Sequence, residues 1–491
     1  MKRIYFYCLS IVIALLLQNC DLVDFTDVNN PNVTEDVFIG LESAPEETLA
    51  GLERQMAQTL NRNIEFGEIL SDNYFNNRSL SSKVFDKLTI LDSDQDVRYF
   101  QQQIHALREL ALLGIEKVLP AHPTTDENIV GEYYFFKGMS ELFAGEYFTY
   151  FPVSVSGEIV SSQQILQLAI EDFDIAISKS SDDEKLTSYK IAKLRALYNL
   201  GNTNKALELA NELASKNMNF YRSAAYDGLN GLNNSFQFYL FDSEQDEFAP
   251  LPSLDFLDPK FFNLGSPTTE QHEVAYLKME EVYLVKAEAE LASSNIPEAK
   301  TVLKTLLKIV DARPKVNLDD SRETRSGGNR ESFFSTDRGS YPLTADYVVS
   351  FAGDDKEYTN LILDRQEGDI IAHPISGTSV SDAVIDEALS EDEVLYLIYK
   401  MRQEIFISEA RRVIDLGIKL PIADFEAISN TNVTSEHLVA QIPDFISNLD
   451  LSGYPLDNFT NDLINKKITI DYDFNKFLVN NKNTSEVVPF F

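Results

Sequence analysis

Apolar side chains recur at spacings of three and four through Met279–Val310, MEEVYLVKAEAELASSNIPEAKTVLKTLLKIV. Val282, Leu284, Val285, Ala287, Ala289 and Leu291 form one set, and Ala299, Val302, Leu303, Leu306, Leu307 and Val310 form the other. Such spacings put each set on one face of a helix. The stretch therefore predicts two amphipathic helices joined at Ser293–Ile296. Asn295 can cap the second helix, Pro297 fits its first turn and Glu298 suits its positive end. The small side chains of Ala287 and Ala299 let the two backbones approach closely.

The pattern repeats. In Tyr189–Lys216 the turn is Gly201-Asn202, and Ala206 takes the place of Ala299. A third partial copy starts at Gly131, with Gly138 in the position of Ala287, Gly145 at the turn and a partner helix over Gln163–Ser178. These are αα-hairpins of the tetratricopeptide kind. A single hairpin cannot bury its apolar face, so the copies must stack. The predicted fold is mainly α: a TPR-like superhelix of hairpins with long irregular loops and a few short strands. An ordinary helical core without repeat ancestry is the alternative.

Around the hairpins the signals are more varied. Pro45-Glu46-Glu47 opens a helix reaching about Arg62, and a second helical piece ends at Asp72 before the polar loop Asp72–Arg78. Asp94–Leu119 predicts a long helix with Val97, Phe100, Ile104, Leu107, Ala111 and Ile115 on one face, stopped by Pro120 and Pro123. Ser235–Phe241, SFQFYLF, predicts a strand. Asp242–Thr269 and Arg313–Thr344 read as loops, the second long enough to suggest function or disorder. Glu391–Gly417 returns to helix, and Asn430–Phe491 reads as a surface wrap. The chain divides into residues 1–19, a tether at 20–44, a helical region at 45–230 and a C-terminal region at 231–491. That last region holds the hairpin at 279–310, the loop at 313–344 and a motif at 401–421.

Composition narrows the function. The 491 residues, 44% of them hydrophobic, can build a large core in two or three lobes. The net charge of −36 opposes approach to nucleic acid and to anionic membrane surfaces, and favours a neutral or cationic ligand. The two cysteines, Cys8 and Cys20, lie near the N-terminus and support no disulfide framework. Lys2 and Arg3 precede the apolar run Ile4–Leu17, which has signal-peptide proportions, and Cys20 follows. The pattern predicts cleavage before Cys20 and acylation there, although Gln18 and Asn19 depart from the usual small residues. Cleavage removes two cations, so the body cannot adhere to a membrane by charge. At about 0.8 kcal/mol per buried CH₂ one acyl chain anchors only marginally, so several are expected. An ordinary N-terminal anchor helix is the alternative.

Three stretches together resemble the SusD/RagB family of outer-membrane lipoproteins. The start NCDLVDFTDVNNPN is similar to their acylated cysteine with its acidic tether. Tyr276–Asn295 resembles their signature helix. Met401–Pro421 resembles their C-terminal motif, here Glu409-Ala410-Arg411-Arg412 and then Asp415-Leu416, with Ala410 in place of the more usual glycine. The resemblance implies a SusD-like fold and a non-catalytic lipoprotein at the cell surface. It also implies that an oligosaccharide or peptide is bound and delivered to a SusC-like TonB-dependent transporter. The TPR-like helices would contact the transporter, and irregular loops would form the ligand face. Read from its residues alone, the motif predicts a core helix with Arg411–Asp415 and Glu409–Arg412 paired along it.

Neutral sugars need aromatic faces to stack on, with amides, carboxylates or arginine to bond their hydroxyls. Asp72, Asn73, Tyr74 and Arg78 offer both kinds, and Phe333, Phe334 and Tyr341 on the long loop form a second candidate set. The absence of Trp argues for a short oligosaccharide or a peptide over a polysaccharide. The five histidines show no HExxH spacing, and no GxSxG elbow or phosphate-cradling loop occurs. No cofactor or metal is expected. Asp92-Ser93-Asp94-Gln95-Asp96 resembles a calcium loop, but Val97 stands where the glycine belongs, and a helix cap at Asp94 explains it better. Two other classes stay open: a TPR-type assembly scaffold without a small-molecule site, and a secreted lipoprotein glycosidase whose carboxylate pair is hidden among 78 acidic residues.

Overall fold

The computed structural model describes residues 34–76, 83–242, 248–262, 269–319, 344–364, 369–449, 456–487 and 490–491. By backbone contacts the chain divides at Ala44. On the N-terminal side, among the described residues, lies a short helix, Glu35–Ile39. Pro45–Phe491 forms one compact unit, with no break near residue 230.

The unit is built on helices α1 (Ala44–Ile69), α2 (Gln95–Leu113), α3 (Glu127–Tyr147), α4 (Ser162–Lys179), α5 (Asp183–Asn199), α6 (Thr203–Leu213), α7 (Met279–Ala292), α8 (Ile296–Asp311), α9 (Glu391–Ile405) and α10 (Phe474–Asn480). α3/α4, α5/α6 and α7/α8 are the three expected hairpins. They stack in order, since α4 also packs on α5 and α6 on α7. α2 covers α3 at one end of the stack, while α9 packs on α7 and α10 on α9 at the other.

Small residues make the seams. A Cβ on Gly138 would stand 2.7 Å from the Phe173 ring, and one on Gly145 would stand 2.5 Å from Leu166. Gly145 therefore serves packing inside the last turn of α3, which continues to Tyr147. Ala206, Ala287 and Ala299 are fully buried. The α5–α6 turn is tightened by Gly201 at φ +68°, and Asn202 Oδ1 accepts from the Lys205 amide. The α7–α8 turn instead takes its positive φ at Ser294, and the Asn295 side chain donates to Glu290 rather than capping α8. Asp94 precedes α2 as expected, but its carboxylate turns back to accept from the Leu91 amide.

Strands are short. β1 (Tyr74–Asn76) pairs with β5 (Phe248–Pro250), β2 (Tyr150–Pro152) with β3 (Ile159–Ser161), and β4 (Tyr221–Ala224) with β6 (Val274–Lys278). β7 (Val316–Asp319) pairs with β10 (Asp369–Ala372). One mixed sheet has the order β11 (Phe459–Asp462), β12 (Lys467–Ile470), β8 (Val348–Phe351) and β9 (Glu357–Tyr358). The C-terminal stretch expected to wrap the surface thus supplies core, with Phe459, Ile468, Ile470, Phe474 and Leu478 buried.

The 401–421 motif departs from the sequence reading. α9 stops at Ile405, and Ser408 (φ +61°) and Ala410 (φ +58°) turn the chain through left-handed conformations. A left-handed residue with a side chain costs about 1–2 kcal/mol, so a glycine would fit the position of Ala410 better. The expected pairs along a helix do not form. Arg411 binds Glu281 at 2.6 Å, Arg412 binds Asp72 at 2.6 Å, Arg402 binds Asp415 at 2.5 Å, and Glu409 takes both Lys260 (2.6 Å) and Lys278 (2.7 Å). These charges are buried and tie the motif to the segment following α1, to α7 and to β6 at once.

An aromatic shelf as candidate functional site

Three predicted ligand residues turn inward. Asp72 and Asn73 follow the C-terminal end of α1 and Tyr74 opens β1; all three are buried. Asp72 accepts a bidentate pair from Arg412, at 2.6 and 2.9 Å. Asn73 Nδ2 donates to Glu68 at 2.8 Å, and the Tyr74 hydroxyl meets Ser408 at 3.0 Å. With their polar groups committed inside the protein and no exposed surface, they hold the loop to the 401–421 motif instead of offering it to a ligand. Arg78, Phe333, Phe334, Tyr341 and Cys20 lie outside the described residues.

Tyr74 is nonetheless the foot of a surface feature. Its ring stands edge-on to Phe236 at 5.0 Å, Phe236 stacks on Phe248 at 5.9 Å, Phe248 meets Tyr239 at 5.1 Å, and Tyr239 meets Phe238 at 5.7 Å. The row runs from the core outward and ends at Phe238, which is 44% exposed. Phe241, half-buried, stands edge-on to Phe262 at 5.3 Å.

This segment is the predicted strand Ser235–Phe241, and it is helical: a single turn at Ser235–Gln237 runs into a π-helical turn at Phe238–Asp242. Asn234 decides it, because its Oδ1 accepts from the Gln237 amide while its Nδ2 donates to the His272 carbonyl. A helix directs Phe236 and Leu240, four apart, to the core. Phe238, which strand alternation would have placed beside them, faces water instead.

A polar segment is bonded to the same helical turn. Gln237 Nε2 donates to the Glu270 carbonyl and its Oε1 accepts from the His272 amide, which bring Thr269, Glu270 and Gln271 alongside; Thr269 and Glu270 are exposed. His272 bonds the Phe262 carbonyl at 2.9 Å, and burial holds its pKa below the usual imidazole value, so it adds no cation at neutral pH. The exposed Phe238 ring, on a segment bonded to the exposed Thr269–Glu270 stretch, makes a surface suited to stacking a neutral, hydroxyl-rich ligand.

A cleft of about 510 Å³ elsewhere, with Tyr358 and Tyr396 in its wall, is chemically less available. Its Asp354 is paired with Lys476, its Asp392 with Lys482, and its Tyr396 hydroxyl with Asp473. Among the described residues no group of acidic, histidine or cysteine side chains is arranged to hold a metal. Glu141 and Asp172, a close pair of carboxylates, share Lys137 in the α3–α4 seam, as a structural pair would.

No family model matches the sequence, and no curated protein matches it. Solved structures do. A structure determined with a xylogluco-oligosaccharide is similar with a TM-score of 0.52 at 10% identity, over 88% of this chain and 90% of that one. A SusD superfamily protein from Bacteroides thetaiotaomicron VPI-5482 is similar with a TM-score of 0.50 at 11% identity, over 80% of this chain and 98% of that one. At such identity the likeness lies in the backbone, and it extends over most of both chains. The chain therefore has the SusD-like fold.

Proposed function

We propose that the protein is a non-catalytic, surface-anchored lipoprotein of the SusD/RagB kind that binds an oligosaccharide and delivers it to a SusC-like TonB-dependent transporter. The observation that carries the reading is the shelf: Phe238 stands exposed at the surface of a SusD-like fold with the half-buried Tyr239 ring beside it. The similar structure determined with a xylogluco-oligosaccharide supports a neutral glycan as the class of ligand. Acylation at Cys20 provides the anchor, and the acidic body leaves lipid as the means of attachment.

The test is calorimetric titration of the protein with xyloglucan oligosaccharides, with the products analysed for cleavage. Wild type binds saturably and releases nothing. The double substitution Phe238→Ala, Tyr239→Ala removes the stacking surface and weakens binding by at least roughly tenfold, the equivalent of about 1.4 kcal/mol. Equal affinity in wild type and variant removes the shelf from the site, and released sugar makes the protein an enzyme. Loss of the protein from the membrane fraction on Cys20→Ser tests the anchor.

A further inference from the structure

The cleft of about 510 Å³ lies between the β8–β9 turn, a short helix at Asp382–Glu387, the first turns of α9 and the end of α10. Its size is that of a small-molecule site. Val384, Ala388, Leu397 and Val479 contribute apolar surface beside the Tyr358 and Tyr396 rings. Most polar groups of the wall are spent on the protein. Asp354 pairs with Lys476, Asp392 pairs with Lys482, the Tyr396 hydroxyl donates to Asp473, and Glu393 accepts from the Leu389 and Ser390 amides. That pairing makes the cleft a poor site for sugar hydroxyls, but it leaves two charges over. Glu387 and Lys356 line the cleft and are exposed, and among the described residues neither has an ion pair, with the other or with a third group. Both are held by their surroundings. Lys300 Nζ donates to the Asp386 and Ala388 carbonyls at 3.1 and 2.7 Å, fixing the chain on either side of Glu387. Asp354 Oδ1 accepts from the Lys356 amide at 3.1 Å, and the Lys356 ammonium stands 5.1 Å from the centre of the Tyr358 ring.

We propose that this cleft is a second binding site, taking a free α-amino acid with an apolar side chain. The side chain covers the apolar surface, Glu387 accepts from the ammonium, and the Lys356 ammonium donates to the carboxylate. Opposite charges on separate elements of one cleft, left unpaired, are complementary to a guest that carries both signs. A fatty acid would satisfy Lys356 alone, and an apolar amine Glu387 alone. A sugar ring offers neither group a charge. A zwitterion has no net charge, so the acidic body does not repel it. The residues are distinct from those of the shelf, so the proposal does not rest on the oligosaccharide reading.

The experiment titrates L-leucine and L-phenylalanine separately into the full chain by calorimetry, at neutral pH and millimolar concentrations. The tighter of the two is then repeated as its N-acetyl derivative and as its amide. Wild type binds at least one amino acid saturably, and each derivative, short of one charge, binds at least roughly tenfold more weakly. Glu387→Gln and Lys356→Gln replace exposed side chains that have no ion pair, so both variants fold like wild type. Each binds the free amino acid more weakly by a similar factor. N-acetylation costs nothing further in Glu387→Gln, and amidation costs nothing further in Lys356→Gln. Absence of binding by both amino acids to wild type overturns the proposal. So does equal affinity in wild type and both charge variants, or binding lost in Phe238→Ala, Tyr239→Ala and kept in the charge variants, which would place the amino acid on the shelf.

Discussion

Asp72 separates the reading of the sequence from the reading of the fold most sharply. If it bonds a ligand, Asp72→Ala weakens binding and leaves the fold intact. The structure predicts the reverse. Asp72 is buried, and its two oxygens take Arg412 Nε and Nη2 at 2.6 and 2.9 Å. Truncation leaves the guanidinium, itself 1% exposed at its side chain, with Asn475 at 2.9 Å as its other bonded partner. Removing one member of a buried pair costs about 3–5 kcal/mol, chiefly through the charge left uncompensated. At the lower end of the usual conversion, about 2 °C per kcal/mol in a large domain, Tm falls by about 6–10 °C. The chain has no Trp, so far-UV circular dichroism at pH 7 is the natural readout. Asp72→Leu, Arg412→Met removes both charges at similar volume and recovers most of the loss, because the pair's attraction largely offsets its own desolvation. A Tm within a degree of wild type, combined with weakened ligand binding, would refute the structural role.

Two further outcomes follow from the packing and the buried charges. A Cβ on Gly67 would stand 2.9 Å from the Ala410 Cβ, so Gly67→Ala costs about 1–3 kcal/mol; adding Ala410→Gly clears the clash and relieves the left-handed strain, and urea midpoints for both single variants and the double variant should show favourable coupling. Glu288, fully buried with its Oε1 unpartnered, has its pKa raised to about 7 by burial, against Arg402. Its folded form holds a proton that the unfolded chain releases near the ordinary glutamate value of 4.5, so its contribution to stability falls as pH rises from about 4.5 to about 7. Glu288→Gln flattens the urea midpoint over that window, and an unchanged slope would place the titration elsewhere.

The three hairpins were legible in the sequence because helical periodicity and small seam residues are local signals, and stacking is the only way to bury such faces. Met279–Val310, Tyr189–Lys216 and the copy starting at Gly131 all fold as their spacing requires. The motif around Glu409–Arg412 was legible as a pattern only. Which charge meets which depended on two positive-φ turns at Ser408 and Ala410 that end the helix early, and on partners 130 to 340 residues away in sequence. Ser235–Phe241 misled because its apolar residues satisfy a period of two as well as a spacing of four. The Asn234 cap, fixed by the distant His272 carbonyl, selected the helix and turned Phe238 outward.

The sequence by itself therefore determined the repeating helices and the acidic body, since helical periodicity is local and charge is a sum over residues. Only the tertiary structure decided that Asp72, Asn73 and Tyr74 are interior and that Phe238 is exposed. Burial is set by what packs from elsewhere, and a polar loop beside a buried arginine is better satisfied inside than in water.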